Sequence, residues 1–556
     1  MTRTTPAGTG RAKQAPQVFV RNSTGLVREV SLRDALAFNS LGMNVGVGLV
    51  FLLVQGIGFF PNGSAVLSVL LGTLATAFTA TYVYAEFAAA IPRSGGDYVF
   101  VSRTLHPFLG WLLSWNNGVW MSVYWIGFNA WFALTGAVPT ALATLSAATG
   151  QDVWQRMAVG LTASQHLFGI TTQWWVLAIG TALNVLFAAV LITGARSFWR
   201  LQGVLFLVAG LALVICAVLM LARGAGGFEA SWNSFAQRNH TLRYDEVVPA
   251  ARAAGFSPGG FSLTDTILLF PWVFFVVGFG AGTAQLGGEI KRASRNQYRS
   301  IVGGVLLNGL AMLLLTACFL GATRTGWASA LAYLSNNDPA ALHLPTSPGF
   351  NLIGGVLTSN VPLLLVIGVG FVLWALMGTP LSQLQATRYL LAWSLDRTMP
   401  EALSEVSERH HTPVRAIVLT TVTGELGLVL LVTWQSASLL GALVAQILGL
   451  AVVCVAGAVF PYRLPDVWRS AGARRLFGAP AVAVAGAVGA VLMVGLLVLL
   501  IANPTLNSVY GPTRALSLYA TGGVLVVGAL WYAGARLVNR RRGIDLSLAF
   551  KEIPPE

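Results

Sequence analysis

Twelve runs of predominantly apolar residues, each roughly 20 residues or longer, recur along the chain and constrain its fold more than any other feature. They lie at 35–60, 65–91, 108–140, 174–194, 198–221 and 266–286, then at 301–321, 361–391, 416–434, 439–462, 481–501 and 516–538. At a helical rise of about 1.5 Å per residue, a run of this length crosses the roughly 30 Å of hydrocarbon in a bilayer. Only 10% of the residues are charged, against about 25% in a typical soluble protein, while 55% are hydrophobic. That balance excludes a water-soluble globule, and the expected fold class is an all-α integral membrane protein with twelve transmembrane helices.

The lysines and arginines orient the chain. Of the 34, 27 fall in the two terminal segments, in every second connection between runs, or, for Arg200, Arg388 and Arg536, within the run ends that adjoin them. The others are Arg156, Arg223, Arg238, Arg243, Arg252, Arg324 and Arg514. By the positive-inside rule both termini are expected in the cytoplasm, with the protein in the cell membrane. The net charge of +14 then follows from topology and calls for no nucleic-acid partner. Residues 1–33 and 539–556 read as cytoplasmic tails, the first without the apolar core and cleavage site of a signal peptide. Cys216, Cys318 and Cys454 sit inside apolar runs without the spacing of a disulfide framework or a zinc site, so no metal is expected.

Inside lipid an unpaired backbone group is costly, so an unwound stretch is tolerated where it lines a cavity. The first run, LGMNVGVGLVF, carries Gly42, Gly46 and Gly48 near its middle, and the sixth, FFVVGFGAGTAQLGGE, carries Gly278, Gly280 and Gly282. With five helices in one half (34–223) and five in an inverted second half (266–462), the two clusters occupy corresponding first helices. Such a pair points to a binding site at the membrane midplane. Amides around Val47, Gly48 and Leu49 would hold a carboxylate, and carbonyls around Phe275, Val276 and Val277 would accept bonds from an ammonium group. For either cluster alone, glycines that merely let helices approach remain the plainer reading. Residues 224–265 read as an extracellular loop in which RYDEVVPAARAAGF forms a short amphipathic helix, and 463–538 as two additional helices.

Three motifs carry a family resemblance. EFAAAIPRSGGDYVFVSRTLHPFLGW (Glu86 to Trp111), GGEIKRASRNQYRSI (Gly287 to Ile301) and RYLLAWSLDRTMPEAL (Arg388 to Leu403), the last followed by HTPVRAI, resemble segments of the amino acid, polyamine and organocation transporter superfamily, amino acid permease type. The first resembles the loop after that family's second helix and is the most specific. The resemblance implies a five-plus-five inverted repeat with two extra helices, alternating access, and a substrate site at the glycine-broken first and sixth helices, where Gly46, Gly48, Gly278 and Gly280 lie. Two positions depart from the family's pattern. Gly278 and Phe279 are followed by Gly280, Ala281 and Gly282, where many members carry an acidic residue, and Ala209 stands about where some proton-coupled members carry a lysine.

With neither a lone carboxylate nor an arginine at the expected centre, a neutral zwitterionic amino acid fits better than a polyamine or a dicarboxylate. The third run, WNNGVWMSVYWIGFNAWF, would surround an apolar side chain, with Asn117, Tyr124 or Asn129 offering polar contacts. For a coupling H+ or Na+, Glu425 lies about ten residues into its run, roughly 15 Å deep, and Thr379 and Ser382 are candidate sodium ligands. Structural hydrogen bonding is the competing reading for all three. No other cofactor and no obligate protein partner is expected beyond the substrate and the bilayer. All six histidines fall in connections, without metal-ligand spacing or a nucleophile elbow, which disfavours a membrane enzyme. A non-transporting sensor on the same scaffold and an amine or polyamine exchanger remain as alternatives.

Overall fold

A computed structural model of the chain describes residues 26, 28–434, 442–509, 514–551 and 553. Most of the basic N-terminal tail, the start of the tenth run at 439–441 and the last residues of the chain lie outside the described residues. Among the described residues, twelve helices are long and apolar enough to cross a membrane: Leu32–Phe59, Ala65–Ala90, Pro107–Thr149, Trp174–Thr193, Arg196–Asn239, Leu263–Gln285, Ala293–Thr323, Val361–Leu395, Val414–Thr433, Leu443–Arg463, Ala481–Ala502 and Leu518–Arg541. They are the spans numbered first to twelfth below, and they coincide with the twelve apolar runs.

Helix starts follow local capping chemistry. The hydroxyl of Ser31 accepts from the Asp34 amide while the Asp34 carboxylate accepts from the Ser31 amide, a reciprocal cap that opens the first span. Asn360 caps the eighth span through Leu363 N–H, and Pro107 starts the third at a position where its missing N–H costs nothing.

The first and sixth spans form the centre of the bundle: their most apolar stretches are 78% and 67% buried, whereas that of the twelfth is 11% buried and lies at the rim. They touch directly at Gly48, where an added Cβ would collide with Val276 Cγ2. Phe51 and Phe275 meet edge to face at 5.4 Å. Both described ends of the chain reach one face of the bundle, here the terminal face. There Val30 exchanges backbone hydrogen bonds with Glu289 and Lys291, and the Ala549 carbonyl accepts from Arg103.

Residues 224–265 are mostly helical, not the loop expected from composition. The helix of the fifth span turns at Gly224, which takes a positive φ of 58° that only glycine adopts freely, and then continues to Asn239. A further helix, Tyr244–Ala253, is the amphipathic one foreseen in the sequence. Tyr244 stacks on Trp327 at 4.9 Å, docking it on the helix Thr325–Asn337, which the sequence reading left as a connection. Aromatic contact area, not an apolar run, orders this region. The third span also extends to Thr149 and contains two π-helical stretches, Trp120–Trp125 and Ala133–Ala137, each of which shifts the facing of residues beyond it.

Candidate functional site

The first span is interrupted at Asn44, not at its glycines. Helix Leu32–Met43 ends there, Asn44 takes a left-handed conformation (φ 52°, ψ 56°), and helix Val45–Phe51 begins. Asparagine is among the few non-glycine residues that tolerate this conformation. Its side chain accepts from Val47 N–H at 3.3 Å, and its carbonyl accepts from Gly48 N–H at 2.9 Å. The amides expected to be open, those of Val47, Gly48 and Leu49, are therefore inside a helix or capped. The donors left at the new helix start are Val45 N–H and Gly46 N–H. Leu49 is fully buried, Gly48 packs on Val276, and an added Cβ at Gly46 would come within 2.6 Å of the Trp374 ring.

In the sixth span, helix Phe270–Val277 stops at Gly278, whose amide bonds to the Phe274 carbonyl at 2.8 Å. Phe279 N–H and Gly280 N–H reach back to the carbonyls of Val276 and Val277, both at 3.3 Å. Among the described residues, that leaves the Phe275 carbonyl as the acceptor not taken up in this turn. The chain then runs through two 3-10 turns, Gly282–Gln285 and Gly287–Glu289.

A narrow cavity lies between the interruptions. Asn44, Val47, Phe275 and Phe279 line it from the first and sixth spans, and Ser382 and Gln385 from the eighth. The third span contributes Met121, Trp125, Phe128, Asn129 and Phe132, a stripe at helical spacing. Among the described residues, no charged side chain lines it. Asn129, one of the three polar residues singled out in that span, is on the wall, and its amide donates to the Trp125 carbonyl at 2.5 Å. The other two are elsewhere. Asn117 lies on the same stripe but one turn nearer the terminal face, where it donates to Asp97. Tyr124 is buried in an aromatic cluster, stacked on Phe128 at 5.3 Å, because the π-helical stretch turns it off the cavity face.

Beyond Phe132 and Phe51, whose rings lie 5.3 Å apart, a wider cavity opens away from the terminal face, ≈ 1080 Å³ against ≈ 610 Å³, each counted out to its mouth. Toward the terminal face the route is closed by polar contacts. Arg388 pairs with Glu289, Arg103 with Asp396, and Arg474 with Glu86. The Glu86 carboxylate holds the Arg474 guanidinium above its ordinary pKa, outweighing partial burial, which acts the other way. None of these pairings is visible in sequence spacing.

The ion-coupling candidates separate. The Thr379 hydroxyl donates to the Ile126 carbonyl at 3.1 Å, and Ser382 faces the cavity. Glu425 lies between the fourth and ninth spans, accepting from Thr181 at 2.8 Å and Asn184 at 2.6 Å. Ala209, where the family resemblance raised a missing lysine, is buried, and its carbonyl accepts from Trp374 at 2.8 Å.

Two facing interrupted spans, with a cavity of small-molecule size between them that is closed off toward the terminal face, define the class: a polytopic membrane protein built around a central cavity. The family profile described as amino acid permease matches residues 35–530, nearly the whole chain. The chain belongs to the amino acid permease family, whose members are membrane transporters of amino acids. No curated protein matches the sequence.

Proposed function

We propose that the protein is a secondary active transporter that carries neutral amino acids across the cell membrane by alternating access, with both termini in the cytoplasm. The observation that carries this reading is a cavity that, among the described residues, no charged side chain lines, and that lies between Asn44, just ahead of the unpaired Val45 and Gly46 amides of the new helix start, and Phe275, whose carbonyl is not taken up in its own turn. A helix start favours an anion and a helix end favours a cation, so the pair suits the carboxylate and ammonium of one zwitterion. The aromatic stripe of the third span would receive an apolar side chain. The five-plus-five inverted repeat is part of the proposal and is supported by the interruption of both the first and the sixth spans. The closed terminal face and the wide cavity opposite it correspond to a state accessible from outside. Coupling to H+ or Na+ belongs to the same reading.

Purified protein is screened by thermal shift against amino acids and amines, because a bound substrate raises apparent stability. Hits are then followed as labelled uptake or exchange in proteoliposomes. Stabilisation and flux of neutral amino acids are expected. Stabilisation without flux under any ion gradient would instead identify a sensor, and a preference for diamines would overturn the substrate class.

A further inference from the structure

Among the described residues, four carboxylates are buried toward the terminal face. Glu86, Glu289 and Asp396 each meet an arginine. Asp97 is fully buried, and among the described residues no cation pairs with it. It follows Gly95 and Gly96, both at positive φ (95° and 45°), in the segment between the second and third spans. Gly95 N–H donates to the Gln285 carbonyl at 3.0 Å, so the segment leans on the chain that leaves the interrupted sixth span.

All the partners of Asp97 are neutral donors. Tyr389 Oη donates to Oδ1 at 2.7 Å and Tyr98 N–H to the same oxygen at 3.1 Å. Asn117 Nδ2 donates to Oδ2 at 2.6 Å and Tyr84 Oη at 3.3 Å. Burial pushes the Asp97 carboxyl above the ordinary carboxylate range, and these hydrogen bonds pull the other way. The surroundings accept either form. Tyrosine hydroxyls reverse from donor to acceptor, while the Asn117 amide stays a donor to Oδ2, its own Oδ1 being held by Asn116 Nδ2 at 3.2 Å. The other titratable groups nearby are the Cys454 thiol beyond Tyr84, the Tyr98 hydroxyl, which donates to Asp396, and the Arg388–Glu289 and Arg103–Asp396 pairs.

We propose, resting on the transport reading above, that Asp97 is the site of a coupling proton whose uptake loosens the closed terminal face. The chain of contacts runs from Asp97 through Tyr389 to Gln285, whose Nε2 donates to the Tyr389 hydroxyl at 3.0 Å and whose Oε1 is buried and, among the described residues, has no partner. Tyr389 lies one turn beyond Gln385 of the cavity wall. A hydrogen bond to an ionised carboxylate is roughly twice as strong as one to a neutral group. Ionised Asp97 therefore clamps Tyr389 and Gln285 in the closed arrangement, and a proton taken from the opposite face weakens the clamp and leaves on the terminal side when the carboxyl ionises again. No bond other than O–H forms or breaks.

Two readouts test this. In membranes of purified protein, the infrared band of a protonated carboxyl is followed against pH. The wild type should show a titrating band that is missing in Asp97→Asn and moves up by about one pH unit in Tyr389→Phe, the change one hydrogen bond to a charge supplies. In proteoliposomes, uptake of a labelled mixture of neutral amino acids should rise with an inward acid gradient for the wild type, and the ratio with and without gradient should fall to unity in Asp97→Asn. An unchanged band in Asp97→Asn, an unmoved band in Tyr389→Phe, or undiminished gradient stimulation overturns the proposal. A band that follows Asp97 in a protein that moves no amino acid would leave the proton site standing and remove the transport reading instead.

Discussion

Arg388 and Glu289 meet edge to edge in the interior, Nε to Oε1 at 2.6 Å and Nη2 to Oε2 at 2.8 Å, with side chains 3% and 4% exposed. The fork ties the end of the eighth span to the turn after the interrupted sixth, and this bidentate geometry is one lysine cannot reproduce. Removing one partner of such a pair leaves a buried charge, at a cost of about 3–5 kcal/mol, whereas replacing both by apolar groups of similar volume is often neutral. Arg388→Met should therefore lower thermal stability in detergent sharply, and Arg388→Met with Glu289→Leu should recover most of it. A single variant as stable as the wild type would contradict the pairing.

The span count was legible because twelve apolar runs have few ways to be satisfied in lipid. The site was legible only in outline. Gly46 and Gly48 drew attention to the right part of the first span, but the interruption belongs to Asn44, which takes the left-handed conformation and supplies its own cap. An asparagine between Gly42 and Gly46 in mid-span was the available signal. Asn117 and Tyr124 do not line the cavity because cavity facing depends on depth and on the π-helical shift at Trp120–Trp125, neither of which composition encodes. The partnering of Arg388 with Glu289, 99 positions away, is a tertiary fact.

Gly48 is where the two interrupted spans touch, so size alone should matter there. Gly48→Ala is expected to destabilise by about 1–3 kcal/mol through overpacking against Val276 and to lower uptake. Gly303, with nothing within 4 Å of an added Cβ, is the control: Gly303→Ala should leave stability unchanged or slightly raised. Unfolding midpoints and proteoliposome flux for both variants check the difference. Equal behaviour would refute close approach as the purpose of Gly48.

At Asn44 the backbone and the side chain can be separated. Asn44→Gly keeps the left-handed conformation without strain and loses only the cap, a few tenths of a kcal/mol. Asn44→Ala loses the cap and adds about 1–2 kcal/mol of backbone strain. Stability and ligand-induced thermal shift should fall in the order wild type, Gly, Ala. An alanine variant that matches the wild type would mean the interruption is not held by Asn44.

Phe132 borders both cavities and meets Phe51 at 5.3 Å, so its ring partitions them. Phe132→Ala should admit larger side chains to the central cavity. Bulky neutral amino acids should then compete about tenfold better against small ones, of the order that one or two methylenes of pocket space provide. Competition for labelled uptake measures it, and an unchanged selectivity order would place the side-chain pocket elsewhere.

Glu425 provides the contrast to Asp97. Its carboxylate accepts from Thr181 and Asn184, and the Asn184 carbonyl oxygen in turn accepts from Gln383 at 2.5 Å. This chain joins the fourth, eighth and ninth spans without touching the cavity wall. Glutamine at 425 keeps an acceptor for Asn184, and the Thr181 hydroxyl can reverse to accept from the new amide. Glu425→Gln should therefore leave gradient-stimulated uptake intact, while Glu425→Leu, which leaves the Asn184 amide only its longer bond to the Thr421 carbonyl at 3.3 Å, should cost about 1–3 kcal/mol of stability. Loss of gradient stimulation in Glu425→Gln, with that stimulation preserved in Asp97→Asn, would move the coupling proton from the segment beneath the cavity to the ninth span.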